Sequence, residues 1–322
     1  MDCTSEINKS KTIQTPVVLF IYNRPTETKK VFERIREVEP SKLYIVADGL
    51  VSGDEKDRQK CIKTRETTEV INWPAEVGRY YADDNLGLDE RLQSGLNAVF
   101  AQEEEAIILE DDIVPSSSFF YFCQSLLSEY RGDERVLDVV GTNYLESWKS
   151  DAQDYHFSTI GSSWGWATWK NMWEKYDPQM KLWQSSEIPN ELKNYYVDKR
   201  ISARAKRLYE MTYNGEIETW HYQWGFLGAT QSSYHIVPSK NLVSNIGFNQ
   251  KGTHTKDESS PFSDMDRYDI EFPLQNRNYI IPDIEYSKKY YEKRATIWEK
   301  RRLLMKMHNI ISSVYESAKS RQ

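Results

Sequence analysis

The chain has 322 residues, enough for one large α/β domain or one domain with a sizeable extension. Apolar residues make up 39%, slightly low for a globular chain, and an aromatic share of 13% compensates. A formal net charge of −7 argues against general nucleic-acid affinity, and three scattered cysteines (Cys3, Cys61, Cys123) form neither a disulfide framework nor a zinc site.

Residues 1–14 are polar, carry no apolar core of a signal peptide, and read as a disordered arm. The run Pro16 to Tyr22 is short, continuous and rich in β-branched residues, as a buried parallel strand should be. Asn23-Arg24-Pro25-Thr26 stops it, with Thr26 placed to cap a helix from about Glu27 to Val38. The pattern repeats: a strand over Lys42–Ala47 ended by Asp48-Gly49, then a helix around Arg58–Ile71. A third strand over Val77–Tyr81 ends in Asp83-Asp84-Asn85-Leu86-Gly87 and leads to a helix over Leu88–Ala101. A fourth, Ala106–Leu109, runs into Glu110-Asp111-Asp112, followed by a helix over Ser116–Tyr130 and a fifth strand over Arg135–Val140.

Alternation at this spacing predicts βαβ units and an open, mostly parallel α/β sheet flanked by helices. Ligands of such sheets bind beyond the carboxyl ends of the strands. Arg24, Asp48, Asn85 and the Glu110-Asp111-Asp112 triplet all fall at those ends. After residue 141 the alternation fades into an aromatic, loop-rich segment, with helices expected near Ala167–Tyr176 and Glu191–Tyr213. The expected organisation is a domain over 15–258, with a nucleotide-binding half over 15–140 and an acceptor half over 141–258. A C-terminal extension over 259–322 follows.

Three adjacent carboxylates after a buried strand repel one another, so the cluster costs stability unless a cation sits there. Hard divalent ions (Mn²⁺ or Mg²⁺) prefer carboxylate oxygens and keep water or phosphate oxygens as further ligands. A metal that holds a diphosphate neutralises a leaving group. An acidic loop leading into a capped helix is the plainer alternative.

Here the sequence resembles a known family. The runs VVLFIYNRPTETKKVFE with LYIVADG, NLGLDERLQSGLNAVF, AIILEDDIVPSSSFFYFCQSLLSEY and GSSWGWATWKNMWEKYDP occur in the order found in GT-A transferases related to N-acetylglucosaminyltransferase I, especially their bacterial relatives. The resemblance covers about residues 15–255 and implies a GT-A fold, a nucleotide-diphospho-sugar donor, usually a UDP-sugar, and inverting transfer. It implies that Asp112 is the metal ligand and that Glu110 and Asp111 contact the ribose and donor sugar. Arg24 would then reach the nucleotide or its phosphates, and Asp48 would pair with the base. Asn85 matches the family's N-x-G turn, whose helix presents Arg91 and Ser94 toward the donor. The family sets its glycine–tryptophan element, here ending in Trp166, beside the donor sugar. The segment Asn245–Phe248 with Thr253-His254-Thr255 resembles a block that closes over the diphosphate, so His254 is a candidate for phosphate or metal.

One position departs from the family. Trp220-His221-Tyr222-Gln223-Trp224 stands where these enzymes carry an acidic base, commonly beside a tryptophan. A neutral imidazole can accept the acceptor's proton, so His221 is the candidate base, with Glu218 and Glu216 as alternatives.

The acceptor implied is a glycan, a lipid-linked saccharide or a glycoprotein. Ten Lys/Arg against three Glu between Lys288 and Arg321 make the end of the chain a basic helix with an apolar stripe. Docking on the domain is its expected use; contact with an anionic membrane surface and pairing with a second copy are the others. No stretch reaches the ~18 apolar residues that span a bilayer, so a cytoplasmic protein, peripheral at most to the inner membrane face, is expected. Two rivals remain: a sugar-1-phosphate nucleotidyltransferase, which would want a glycine-rich loop where Asn23-Arg24-Pro25 stands, and a nucleotide-sugar-binding protein without turnover. The missing G-x-G-x-x-G after the first strand excludes a Rossmann dehydrogenase.

Overall fold

Strand β1 (Val17–Ile21) is buried at all five residues, which its unbroken apolar sequence requires. The computed structural model describes residues 12–51, 53–248, 260–275 and 277–296. Helix α1 (Pro25–Val38) starts two residues earlier than expected from a Thr26 cap, because Pro25 at the first helical position supplies a φ already suited to the helix. Its buried face, Thr28, Val31, Phe32, Ile35 and Val38, follows helical spacing. Strand β2 (Lys42–Ala47) leads to α2 (Glu55–Thr67), capped by the Asp54 carboxylate accepting from the Lys56 and Asp57 amides. Strand β3 (Glu76–Tyr81), α3 (Leu88–Phe100) and β4 (Glu105–Glu110) complete the repeating half.

The eight-stranded sheet has the order β3-β2-β1-β4, then β8 (Trp166–Trp169), β6 (Val136–Val140), β9 (Tyr234–Pro238) and β7 (Tyr155–Ser158). From β3 to β4 every pairing is parallel. Chain growth therefore proceeds outward from β1 to β3, then returns to lay β4 on β1's other side. Between β1 and β4 the connections diverge, which opens a crevice at their carboxyl ends.

Beyond β4 come β5 (Ile113–Pro115), α4 (Ser117–Glu129), β6 (Val136–Val140), β7 (Tyr155–Ser158) and β8 (Trp166–Trp169). The helix expected over 167–176 is β8 followed by the single turn α5 (Lys170–Trp173). β8 lies antiparallel between β4 and β6, and pairing on both sides overrides the local helical pattern. The helix expected over 191–213 is two, α6 (Ile188–Tyr196) and α7 (Lys199–Tyr213). Val197 breaks them at φ 58°, and Asp198 caps the second. Helix α8 (Trp220–Gln231), β9 (Tyr234–Pro238) and β10 (Val243–Asn245) follow, and residues 284–296 are helical. Only β7 and β8 run against the other strands of the large sheet.

The sheet's apolar core is one continuous cluster, and a smaller core joins α6, α7 and α8 through Leu192, Tyr196, Tyr209 and Phe226. Ile13, assigned to the polar arm from its neighbours, is buried, and its carbonyl accepts the Ser41 amide at 2.9 Å. Tyr286 and Tyr290 are buried where residues 284–296 dock. The apolar stripe from Trp298 to Ile311 lies outside the described residues. Among the described residues, no helix is long and apolar enough to cross a membrane.

Candidate active site

The crevice between β1 and β4 collects the polar residues that end both strands. Arg24 follows β1, and its Nη1 donates to Asp112 Oδ2 at 2.6 Å and Asp111 Oδ1 at 3.2 Å. The Tyr22 amide donates to the other Asp111 oxygen at 3.2 Å. Asp111 and Asp112 are each only 6% exposed, which makes their mutual repulsion expensive.

Burial, reinforced by Asp112 and Asp111, pushes the Glu110 carboxyl up to about 8. Burial pushes Asp111 up to about 7 against the opposing pull of Arg24, and it raises Asp112 in the same way. Burial works against the charge on Arg24 too, yet Asp111, Asp112 and Glu110 together hold its guanidinium above the ordinary value. One arginine thus serves three carboxylates. Asp112 Oδ1 is buried and has no hydrogen-bond partner among the described residues.

The antiparallel pair β5–β10 brings Asn245, Ile246 and Gly247 against this acid, and the Ile246 amide donates to the Asp112 carbonyl at 2.9 Å. Gly247 is required there, since a Cβ would lie 1.9 Å from Asp112 Oδ2. The orphan oxygen, the close glycine and the acid cluster are what a hard divalent cation needs. Among the described residues no three His, Cys, Asp or Glu side chains are arranged to hold a metal by themselves, so water and phosphate oxygens would complete the shell.

At the end of β2, Asp48 accepts three backbone amides: Gly49 at 2.8 Å and, across the crevice mouth, Leu86 and Gly87 at 2.9 Å. Asn85 Nδ2 donates to the Gly49 carbonyl at 3.1 Å. A Cβ on Gly49 would come within 2.1 Å of the Asp84 backbone, so only glycine permits this close approach of the two loops. The carboxylate expected to read the base is therefore first the tie that fixes the β2 and β3 loops, although it lines the cleft. Arg91, expected to face the donor, spends its guanidinium on the Ala47 carbonyl at 3.0 Å, the Tyr80 carbonyl at 2.6 Å and Ser94 Oγ at 3.0 Å. Carbonyls in the last residues of β2 and β3 need donors, and a buried arginine supplies them. Burial lowers its pKa from the ordinary arginine value.

The crevice widens into a cleft of about 790 Å³ that runs from Arg24 and the acid triplet to α7, α8 and residues 284–296. His221, in the first turn of α8, lines it. Its Nδ1 shares a hydrogen bond with Thr219 Oγ1 at 2.5 Å, and its ring lies 4.1 Å from that of Tyr222.

Trp166 does not line the cleft. It is 1% exposed in β8 and stacks on Trp220 at 5.1 Å, because alternation along the strand turns its indole inward. The indole of this element that reaches the cleft is Trp164. Glu218 and Glu216 are exposed and do not line it either, since the chain before α8 turns them outward. His254 lies outside the described residues.

Two features were not anticipated. Asp89, in the first turn of α3, accepts the Trp220 amide at 3.1 Å and so ties the start of α8 to the crevice. Asp138, buried in β6, joins His235 Nδ1 at 2.7 Å to Trp224 Nε1 at 2.7 Å, and His235 lines the cleft. A lone acid inside the apolar strand sequence VLDVV is the signal that points to such a network.

No family model matches the chain, and no curated protein matches it.

Proposed function

We propose that the protein is a metal-dependent glycosyltransferase that moves a sugar from a nucleoside-diphosphate donor, with UDP as the expected nucleotide, to a saccharide acceptor. The observation that carries this reading is the acid triplet at the β1/β4 crevice, with Asp111 and Asp112 buried, one arginine beside them and Asp112 Oδ1 without a hydrogen-bond partner among the described residues. A divalent cation on Asp112 would supply Lewis-acid neutralisation of the departing diphosphate.

The chain's own residues divide the rest of the work. Asp48 and Asn85 fix the loops that frame the donor, and Arg24 balances the acids and stands ready to meet phosphate. His221 accepts the acceptor hydroxyl's proton as that oxygen bonds to the anomeric carbon. The bond from that carbon to the diphosphate oxygen breaks, and its electron pair leaves with the nucleotide. Direct displacement inverts the anomeric centre. The Trp166–Trp220 stack and the Asp89 tie hold the start of α8, and with it His221, against the cleft.

The test is calorimetric titration of UDP, GDP and dTDP with and without Mn²⁺ on the wild type and on Asp112→Asn. Metal-dependent binding of one nucleotide, lost in the variant, supports the reading. No nucleotide binding under any condition ends it.

A further inference from the structure

The cationic end of the cleft, where Arg204 of α7 and Arg294 of the 284–296 helix line it, lies away from the acids. The loop 159–164 runs along this part of the cleft, and beneath it sits a polar group with no part yet in transfer. His235, the second residue of β9, lines the cleft and is 6% exposed. Its Nδ1 meets Asp138 Oδ1 at 2.7 Å, and a carboxylate only accepts, so Nδ1 carries the hydrogen. The neutral ring then presents Nε2 as a bare acceptor. Nε2 has no hydrogen-bond partner among the described residues.

Four segments are shaped around this one imidazole. Asp138 comes from β6, whose register sets it beside His235, and its second oxygen accepts Trp224 Nε1 of α8 at 2.7 Å. Both carboxylate oxygens are committed, so the ring cannot turn without breaking a buried, charge-assisted bond. Strand β7 pairs Ser158 with His235, and the chain then crosses the ring at Gly161, where a Cβ would lie 2.2 Å from Nδ1. The Nδ1 edge is covered, and the Nε2 edge is the one left to the cleft. Packing alone would be served as well by apolar side chains, since a buried carboxylate in VLDVV costs desolvation that valine or leucine avoids. A locked ring with an open acceptor atom is what a hydrogen bond from a ligand requires.

Position decides the ligand. Strand β9 is three places from β4 in the sheet, about 14 Å across at ordinary strand spacing. The diphosphate belongs at the acid triplet beside β4, so His235 falls to the second substrate. Helix α8 joins the two tasks: its first turn presents His221 to the cleft, and one turn later Trp224 anchors Asp138. Trp164 and Tyr144, 5.5 Å apart, wall the same cleft with aromatic faces suited to the apolar faces of sugar rings.

Resting on the transferase reading, we propose that His235 is a specificity-determining residue of the acceptor subsite: locked by Asp138, its Nε2 accepts a hydrogen bond from a saccharide hydroxyl other than the one that reacts. The subsite then rejects the matching deoxy sugar, which leaves that nitrogen buried and unpaired.

The experiment uses the full chain, ¹⁵N-labelled at histidine, with UDP and Mn²⁺ present. The probes are the methyl glycosides of glucose, galactose, mannose and N-acetylglucosamine. In the free protein Nδ1 of His235 should be the protonated nitrogen and Nε2 the bare one, and at least one glycoside should shift the Nε2 resonance. Among the monodeoxy forms of that glycoside, one should bind about tenfold or more weaker. His235→Asn keeps a donor for Asp138 but has no atom at Nε2; it should bind the parent glycoside about tenfold weaker and no longer distinguish it from that deoxy form. Asp138→Asn must turn its amide nitrogen toward one of two donors, so it should move the imidazole proton to Nε2 and weaken the same glycoside while the ring stays in place. UDP affinity should stay unchanged in both variants. A proton on Nε2 in the free protein, an Nε2 resonance that no glycoside moves, or a deoxy preference that survives in His235→Asn overturns the proposal and leaves His235 a core residue. So does a fall in UDP affinity in either variant, which would assign His235 to the donor. Failure of UDP to bind the wild type, with the Nε2 shift and the deoxy preference intact, would remove the transferase reading and leave the saccharide site standing.

Discussion

The two ends of the cleft are built in different ways. The acid end comes from consecutive βα units: each strand delivers its polar terminus to one sheet edge, and β1 and β4 are adjacent because the chain reverses its direction of growth between them. The cationic end is assembled from α7, α8, the loop around Trp164 and residues 284–296. The difference teaches that one end is rigid by topology, while the other depends on helices that dock. Negative charge at the acid end is over-supplied and only partly offset by Arg24. At the cationic end positive charge is supplied without a described carboxylate beside Arg294.

The sharpest way to separate the ends is through the residue set between them. His221→Ala should lower transfer about a hundredfold to ten-thousandfold while UDP affinity stays within about twofold, checked by steady-state kinetics beside calorimetry. A wild type that binds the donor and never turns over would mark a nucleotide-sugar-binding protein instead.

Arg24→Met tests the balance at the acid end. It leaves the triplet uncompensated and should cost ~3 kcal/mol of stability in urea titration without metal. Mn²⁺ with UDP should then restore more stability to the variant than it adds to the wild type. Equal gains in both proteins would mean that the cation does not sit among these acids.

The docked end has its own probe in His156 of β7, whose ring lies 4.3 Å from Tyr286 of the 284–296 helix. Burial lowers its pKa from 6.5 to about 3, with Asp283 pulling upward and Arg277 and Lys149 downward. In the folded protein the ring stays neutral down to about pH 3, while in the unfolded chain it takes a proton near 6.5. Its stabilising contribution is therefore complete above the unfolded value and is lost as pH falls toward 3. Between pH 7 and 5 that loss is about 2 kcal/mol, and His156→Phe should remove it, as urea midpoints at the two pH values would reveal. An unchanged pH dependence would place the acid sensitivity elsewhere. Smallest of all, Glu218→Gln should alter stability by less than ~0.5 kcal/mol and leave turnover unchanged, because the side chain points away from the cleft.

The asymmetry between the ends also explains what could be read in advance. Strands β1, β2 and β4 are local apolar runs with polar stops, so Arg24, Asp48 and the triplet could be located from pattern alone. The pattern did not reveal that Asp48 would be occupied by the Leu86 and Gly87 amides, or Arg91 by the Ala47 and Tyr80 carbonyls, since those partners come from neighbouring loops. Trp166 and Trp164 sit two residues apart in a glycine-rich run, and only the pairing of β8 with β4 and β6 decides which indole turns inward. Arg204 and Arg294 carry no local signal at all: each reads as an ordinary helix arginine until α7 and the 284–296 helix meet across the cleft.

The most direct test of the central claim remains the titration of UDP with and without Mn²⁺ into wild type and Asp112→Asn. The expected result is binding to the wild type that requires Mn²⁺ and weakens by about a hundredfold or more in the variant. Nucleotide binding that ignores both the metal and the substitution, or no binding at all, would contradict it and reduce the triplet to an acidic turn neutralised by Arg24.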